Sequence, residues 1–155
     1  MKSIAWQQVD ATEVVLEVCE LKYTDDRPLS DIRVADSGAV CCARRGPGFA
    51  EVVTWPDGLT GAPVSWTGSP GLSLVRIFAF DSVFAYAFSE SQLLRIEPDS
   101  VESIHAASAS IRDAHLSPDA RHIVWLEKTP LVRGYVADCG DASAPRALAS
   151  AGLLL

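Results

Sequence analysis

The sequence predicts an all-β fold, and three observations carry that prediction. Its apolar residues fall in short runs rich in Val, Ile, Phe, Tyr and Trp, bounded by Gly, Pro, Asp and Ser. No stretch sustains an apolar stripe at 3.6-residue spacing through three helical turns. The runs also pair into three hairpins that share landmarks at a spacing near 40 residues, the mark of a repeat architecture. With 155 residues, 48% hydrophobic and 21% charged, the chain is rich enough in apolar surface for one compact domain over 1–155. A chain of this size buries roughly 68–70% of its unfolded surface, so a core forms without staples.

The elements follow in order. Ala39 to Ala43 is expected to turn through Arg44-Arg45-Gly46-Pro47-Gly48 into Glu51 to Trp55, the Gly-Pro-Gly cluster supplying special backbone angles. Val83 to Phe88 turns at Ser89-Glu90-Ser91 into Gln92 to Ile96, and His122 to Leu126 turns near Lys128-Thr129-Pro130 into Leu131 to Val136. A β-branched residue and an arginine precede each hairpin, as Ile32-Arg33, Val75-Arg76 and Ile111-Arg112. An aspartate then stands before each first hairpin strand, at Asp36, Asp81 and Asp119, with spacings of 45 and 38 residues. A second turn follows each hairpin, and Asp57, Asp99 and Asp141 within these turns are 42 residues apart. The units 29–58, 74–100 and 111–148 therefore predict a propeller-like array of three to four small antiparallel sheets, with a β-sandwich as the alternative stacking.

The third unit carries a family resemblance. His115-Leu116-Ser117-Pro118-Asp119-Ala120-Arg121-His122-Ile123-Val124-Trp125-Leu126, followed by Tyr135-Val136-Ala137-Asp138 and Pro145-Arg146-Ala147-Leu148, resembles a TolB-type propeller blade, a relative of the WD-repeat. The resemblance implies that a Ser-Pro-Asp-Gly turn joins two strands and that an aspartate turn and an Arg-x-Leu close the blade. Ala120 departs from it, standing where glycine is usual, and a Cβ is costly in a left-handed turn. Fewer than four such units fit in the chain, so open edges need cover. That cover is expected from a fourth sheet built of Val14 to Tyr23 and Ala149 to Leu155, from a second copy of the chain, or from a docked partner.

Thirteen Lys and Arg against twenty Asp and Glu give a net charge of −7, which repels nucleic acid and anionic lipid. Residues 1–31 hold seven acids against three bases, either a solvated face or a docking surface for a basic partner. No run of 18 apolar residues occurs and the N-terminus turns polar early, so a cytoplasmic protein is expected. Cys19, Cys41, Cys42 and Cys139 lack C-x-x-C spacing and read as small buried hydrophobes, with Cys41 and Cys42 on opposite faces of a strand.

The motifs of catalysis are missing from the sequence: no G-x-S-x-G elbow, no H-E-x-x-H and no glycine-rich phosphate loop. No catalytic residue, metal site or cofactor is assigned. Asp113 and His115 share one strand face, where the carboxylate would orient the imidazole, although a structural histidine is the plainer reading. Asp36, Asp81 and Asp119 read as turn caps rather than calcium ligands. Trp55 and Trp125 are expected in the core, whereas Trp66, in a Gly, Pro and Ser-rich stretch, is a candidate exposed anchor.

The expected function is a non-enzymatic protein-binding module. An acidic immunity- or antitoxin-like inhibitor of a basic partner ranks first, with partner-binding residues Glu13, Glu17, Glu20, Asp25, Asp26 and Trp66. Homodimerisation through open blade edges is the companion expectation. The alternatives are a structural fragment or degenerate relative of a larger propeller, peptidase-associated or scaffold, and a small-ligand or hydrolase site using Asp113, His115 and Asp119.

Overall fold

The computed structural model describes residues 5–10, 13–17, 27–47, 49–58, 61–66 and 75–148. They are all-β, as the sequence predicts. Strands β1 (Ala5–Asp10) and β2 (Glu13–Glu17) form an antiparallel pair with Ala5 opposite Glu17. Three four-stranded antiparallel sheets follow, each a meander with its strands in chain order. The first holds β3 (Leu29–Val34), β4 (Val40–Gly46), β5 (Phe49–Trp55) and β6 (Val64–Ser65). The second holds β7 (Arg76–Phe80), β8 (Ala85–Ser89), β9 (Gln92–Ile96) and β10 (Val101–Ala106). The third holds β11 (Ser110–Leu116), β12 (His122–Lys128), β13 (Val132–Asp138) and β14 (Asp141–Ala147). None of the three closes on itself. No helix of the described residues is long and apolar enough to cross a membrane.

The three expected hairpins are the middle strand pairs of these sheets. Ser89 pairs with Gln92 across Glu90-Ser91, where Glu90 takes a positive φ of 40°, and Lys128 pairs with Val132 across Thr129 to Leu131. The first hairpin differs from expectation. Its strands run on through Arg44 and Arg45 until Gly46 pairs with Phe49. The two arginines are thus strand residues with carboxylate partners, rather than a solvated tip. Glu51 receives Arg44 Nη2 at 2.9 Å and Asp31 receives Arg45 Nη2 at 3.0 Å.

The capping role expected of the recurring aspartates holds for two of the three. Asp81 Oδ1 accepts from Val83 N and Phe84 N at 2.9 and 2.7 Å, and Asp119 Oδ1 accepts from Arg121 N at 3.1 Å. In the first turn the hydroxyl of Ser37, rather than Asp36, accepts from Ala39 N. Ala120 adopts a φ of 56°, so the left-handed turn forms with a Cβ in place. Backbone bonds from Ala120 N to Ser117 O and from Ser117 N to His122 O, both 2.8 Å, hold it there.

The sheets stack in chain order with the second between the other two. Cys41, Ala43 and Val52 of the first sheet pack with Ile77, Ala85, Ala87, Leu94 and Ile96 of the second, the alanines letting the sheets approach. On its other side the second sheet gives Tyr86 and Leu93 to a cluster with Ile111, Ile123, Trp125 and Ala137 of the third. Both faces of β4 are buried, because Val40 and Cys42 join Val53 and Trp55 in a third cluster. Cys41 and Cys42 therefore fill two different cores as free thiols, as the alternation of a strand requires. Trp125 stacks on Tyr135 at 5.6 Å and donates its indole N–H to Glu127 Oε1 at 3.2 Å. Ser108 Oγ donates to the other oxygen at 2.9 Å, so the carboxylate of Glu127, only 2% exposed, has both oxygens bonded.

Trp66 corrects the expectation of an exposed anchor. The indole is 5% exposed and sits edge-on to Phe80 at 6.2 Å, while its backbone N–H bonds Val52 O at 2.9 Å. Beside the short strand β6, its ring closes the core between the first two sheets instead of meeting solvent.

Candidate functional site

The first strand of each sheet carries a register irregularity opposite its neighbour, between Ser30 and Arg33 in β3, Ile77 and Ala79 in β7, and Ile111 and Asp113 in β11. Such bulges re-aim side chains and increase local twist. Strand β7 lies against β3 on one side and β11 on the other, so the three irregular segments run side by side. Between them is a cleft of about 370 Å³, walled by Ile77, Phe78, Phe88 and Ile111 and charged by Asp31, Arg33, Arg76, Arg112, Asp113 and His115. A second hollow of about 430 Å³ beside it shares Asp31 and Arg76 and is completed by Ser30 and Arg45.

Asp31 is the joint between the first two sheets. Its φ of 54° lies in the left-handed region, which aspartate tolerates better than most residues. With its side chain 10% exposed, Oδ2 accepts from Ile77 N at 3.1 Å and from Arg45 Nη2 at 3.0 Å, while Arg76 Nε stands 3.4 Å from Oδ1. Arg45 also donates to Ser30 Oγ and, across to the second sheet, to Val75 O at 2.9 Å. Arg33 is held in the same manner, donating Nε to Phe78 O at 3.1 Å and Nη1 to Ile32 O at 2.8 Å. Arg112 has no hydrogen-bond or ion-pair partner among the described residues, and the side chain of Arg76 is 66% exposed.

Asp113 and His115 are brought together as their spacing predicts, with Oδ2 and Nε2 3.2 Å apart, and both are exposed. Asp119 is not part of this group: it lies at the turn after β11, bonded to Ser117 and Arg121 N, and those hydrogen bonds hold its carboxyl below the ordinary aspartate range. The hydrolase set of Asp113, His115 and Asp119 is therefore not assembled. Among the described residues no three His, Cys, Asp or Glu side chains gather in a group that could hold a metal ion. Burial also pushes the thiol of Cys41 far up and that of Cys139 up to about 11.

Of the acidic residues named as partner-binding, Glu13 and Glu17 lie in β2, where only the strand is described, and Glu20, Asp25 and Asp26 lie outside the described residues. Sequence reasoning missed Asp31 and Arg45 as the link between sheets. It did note Arg33, Arg76 and Arg112 as a recurring landmark, and that recurrence was the signal for the cleft. No family model matches the chain, and no curated protein matches it.

Proposed function

We propose that the chain is a non-enzymatic protein-binding module whose three meander sheets are blades of a propeller-like array related to the TolB type. The observation that supports this reading is the side-by-side placement of β3, β7 and β11 along one open cleft, with the remaining strands of each sheet following in order. Blades set around an axis place their first strands in this way. A sandwich would pair inner faces without lining up every first strand.

The partner in this reading is a basic protein met in the cytoplasm, and the role is that of an immunity- or antitoxin-like inhibitor. The net charge of −7 supports it, because complementary charge raises association rates by roughly 10 to 1,000-fold. The test begins with capture of the tagged chain from its own cells and mass measurement of the complex by light scattering. Association is then timed across a salt series with Glu13, Glu17, Glu20, Asp25 and Asp26 intact or replaced by Gln and Asn. The reading expects one basic partner at equal stoichiometry and an on-rate that falls with salt and with neutralisation. A complex whose on-rate ignores both changes, or a chain found only with itself, overturns it.

A further inference from the structure

We propose that the cleft between β3, β7 and β11 is a carboxylate-binding site in which Arg76 and Arg112 hold the anion and Arg33 is its fixed positive wall. This goes beyond the protein-binding reading and does not depend on it, since the cleft is opposite in sign to the chain as a whole. Arg112 has no partner among the described residues, and Arg76, which lines the cleft with its side chain 66% exposed, meets Asp31 only through Nε, at 3.4 Å. Two guanidinium forks on neighbouring strands suit a planar, two-oxygen anion. Arg33 needs no ligand to stay in place, because Phe78 O and Ile32 O already hold it.

Charge selects the class of anion. Three arginines against two aspartates leave the cleft with one net positive charge, which a monoanionic carboxylate neutralises and a dianion overcompensates, and the flat guanidinium forks fit a planar anion better than a tetrahedral one. The apolar wall of Ile77, Phe78, Phe88 and Ile111 covers a short carbon chain, and a cleft of about 370 Å³ lies at the small end of ligand sites. Beside the arginines, the Asp113 and His115 pair offers polar contacts to a group next to the carboxylate, such as an amide.

Calorimetry on the full chain at constant ionic strength tests the proposal with three probes: butyrate, the blocked peptide acetyl-Ala-Glu-Ala-amide, and inorganic phosphate. The expected result is saturable one-to-one binding of a carboxylate probe. Arg112→Gln and Arg76→Gln each weaken it roughly ten- to hundredfold, the worth of a hydrogen bond to a charged group. Arg121→Gln, on the exposed turn after β11, leaves it unchanged. Tighter binding of the peptide identifies an acidic side chain of a partner as the source, and tighter binding of butyrate a small free acid; both support the site. Absence of binding by either carboxylate, equal affinity in Arg112→Gln and the parent, or phosphate binding more tightly than both overturns it. The parent titration needs no variant to fold. It also succeeds or fails whether or not a protein partner is ever found.

Discussion

Replacing Asp31 removes the bond network that joins the first sheet to the second, and the size of the loss follows from its contacts. The Ile77 N–H, bonded at 3.1 Å, would be stranded at the sheet junction, at a cost of about 1–3 kcal/mol. The bond to Arg45, whose side chain is 28% exposed, contributes about 1.5–3 kcal/mol as a charge-assisted contact. The pair with Arg76 adds little, because that side chain is 66% exposed and water screens it. At a φ of 54° an alanine also carries about 1 kcal/mol of backbone strain. Asp31→Ala is therefore expected to cost about 3.5–7 kcal/mol, a large part of the 5–15 kcal/mol that holds a domain together. Asp31→Asn keeps an acceptor for Ile77 N–H and tolerates the left-handed backbone, so it loses mainly the charge, about 1–2 kcal/mol. Urea unfolding of both variants and the parent at neutral pH measures the differences. The reasoning fails if Asp31→Ala unfolds within about 0.5 kcal/mol of the parent, or if Asn is as damaging as Ala.

Four further outcomes are expected. Ala120→Gly relieves the strain of a φ of 56° while adding unfolded-state entropy, for a net gain of about 0.5–1 kcal/mol seen as a higher midpoint in thermal melts. Burial raises the carboxyl of Glu51, but hydrogen bonds from Arg44 and Ser65 and the charges of Arg44 and Arg27 outweigh it and hold the group below its ordinary value of 4.5. Its contribution to stability is thus complete above pH 4.5 and lost as pH falls through the lower folded value, and urea midpoints of Glu51→Gln should show a shallower acid limb than the parent. In a Cys19→Ser background, a thiol-reactive disulfide should label half-buried Cys139 slowly and Cys41 and Cys42 only as urea opens the fold; prompt labelling of Cys41 and Cys42 would contradict their burial. Gly134→Ala places a Cβ 3.1 Å from Leu148 Cδ1, the end of a side chain 40% exposed and able to shift, so a gain of about 0.5 kcal/mol in urea unfolding is expected.

The strands were legible wherever the chain punctuates itself. Glu90-Ser91 and Thr129-Pro130 mark their turns through local backbone preference, and the alternation around Cys41 and Cys42 assigns faces because successive side chains in a strand point oppositely. Arg44 and Arg45 were misplaced for the converse reason. Charged residues beside Gly-Pro-Gly look like a turn until Asp31 and Glu51, far off in sequence, supply the bonds that draw them into a strand. Trp66 was misread likewise: the Gly and Pro around it describe its backbone, while Phe80 and the core between two sheets decide where the indole goes.

Local chemistry written in the chain thus accounts for the all-β class, the second and third hairpin turns and the approach of Asp113 to His115, since each depends on residues close in sequence. The cleft, the linking role of Asp31 and the gathering of Arg33, Arg76 and Arg112 depend on how β3, β7 and β11 lie against one another. That arrangement comes from burying the faces of whole sheets, an area term without direction that no single segment encodes.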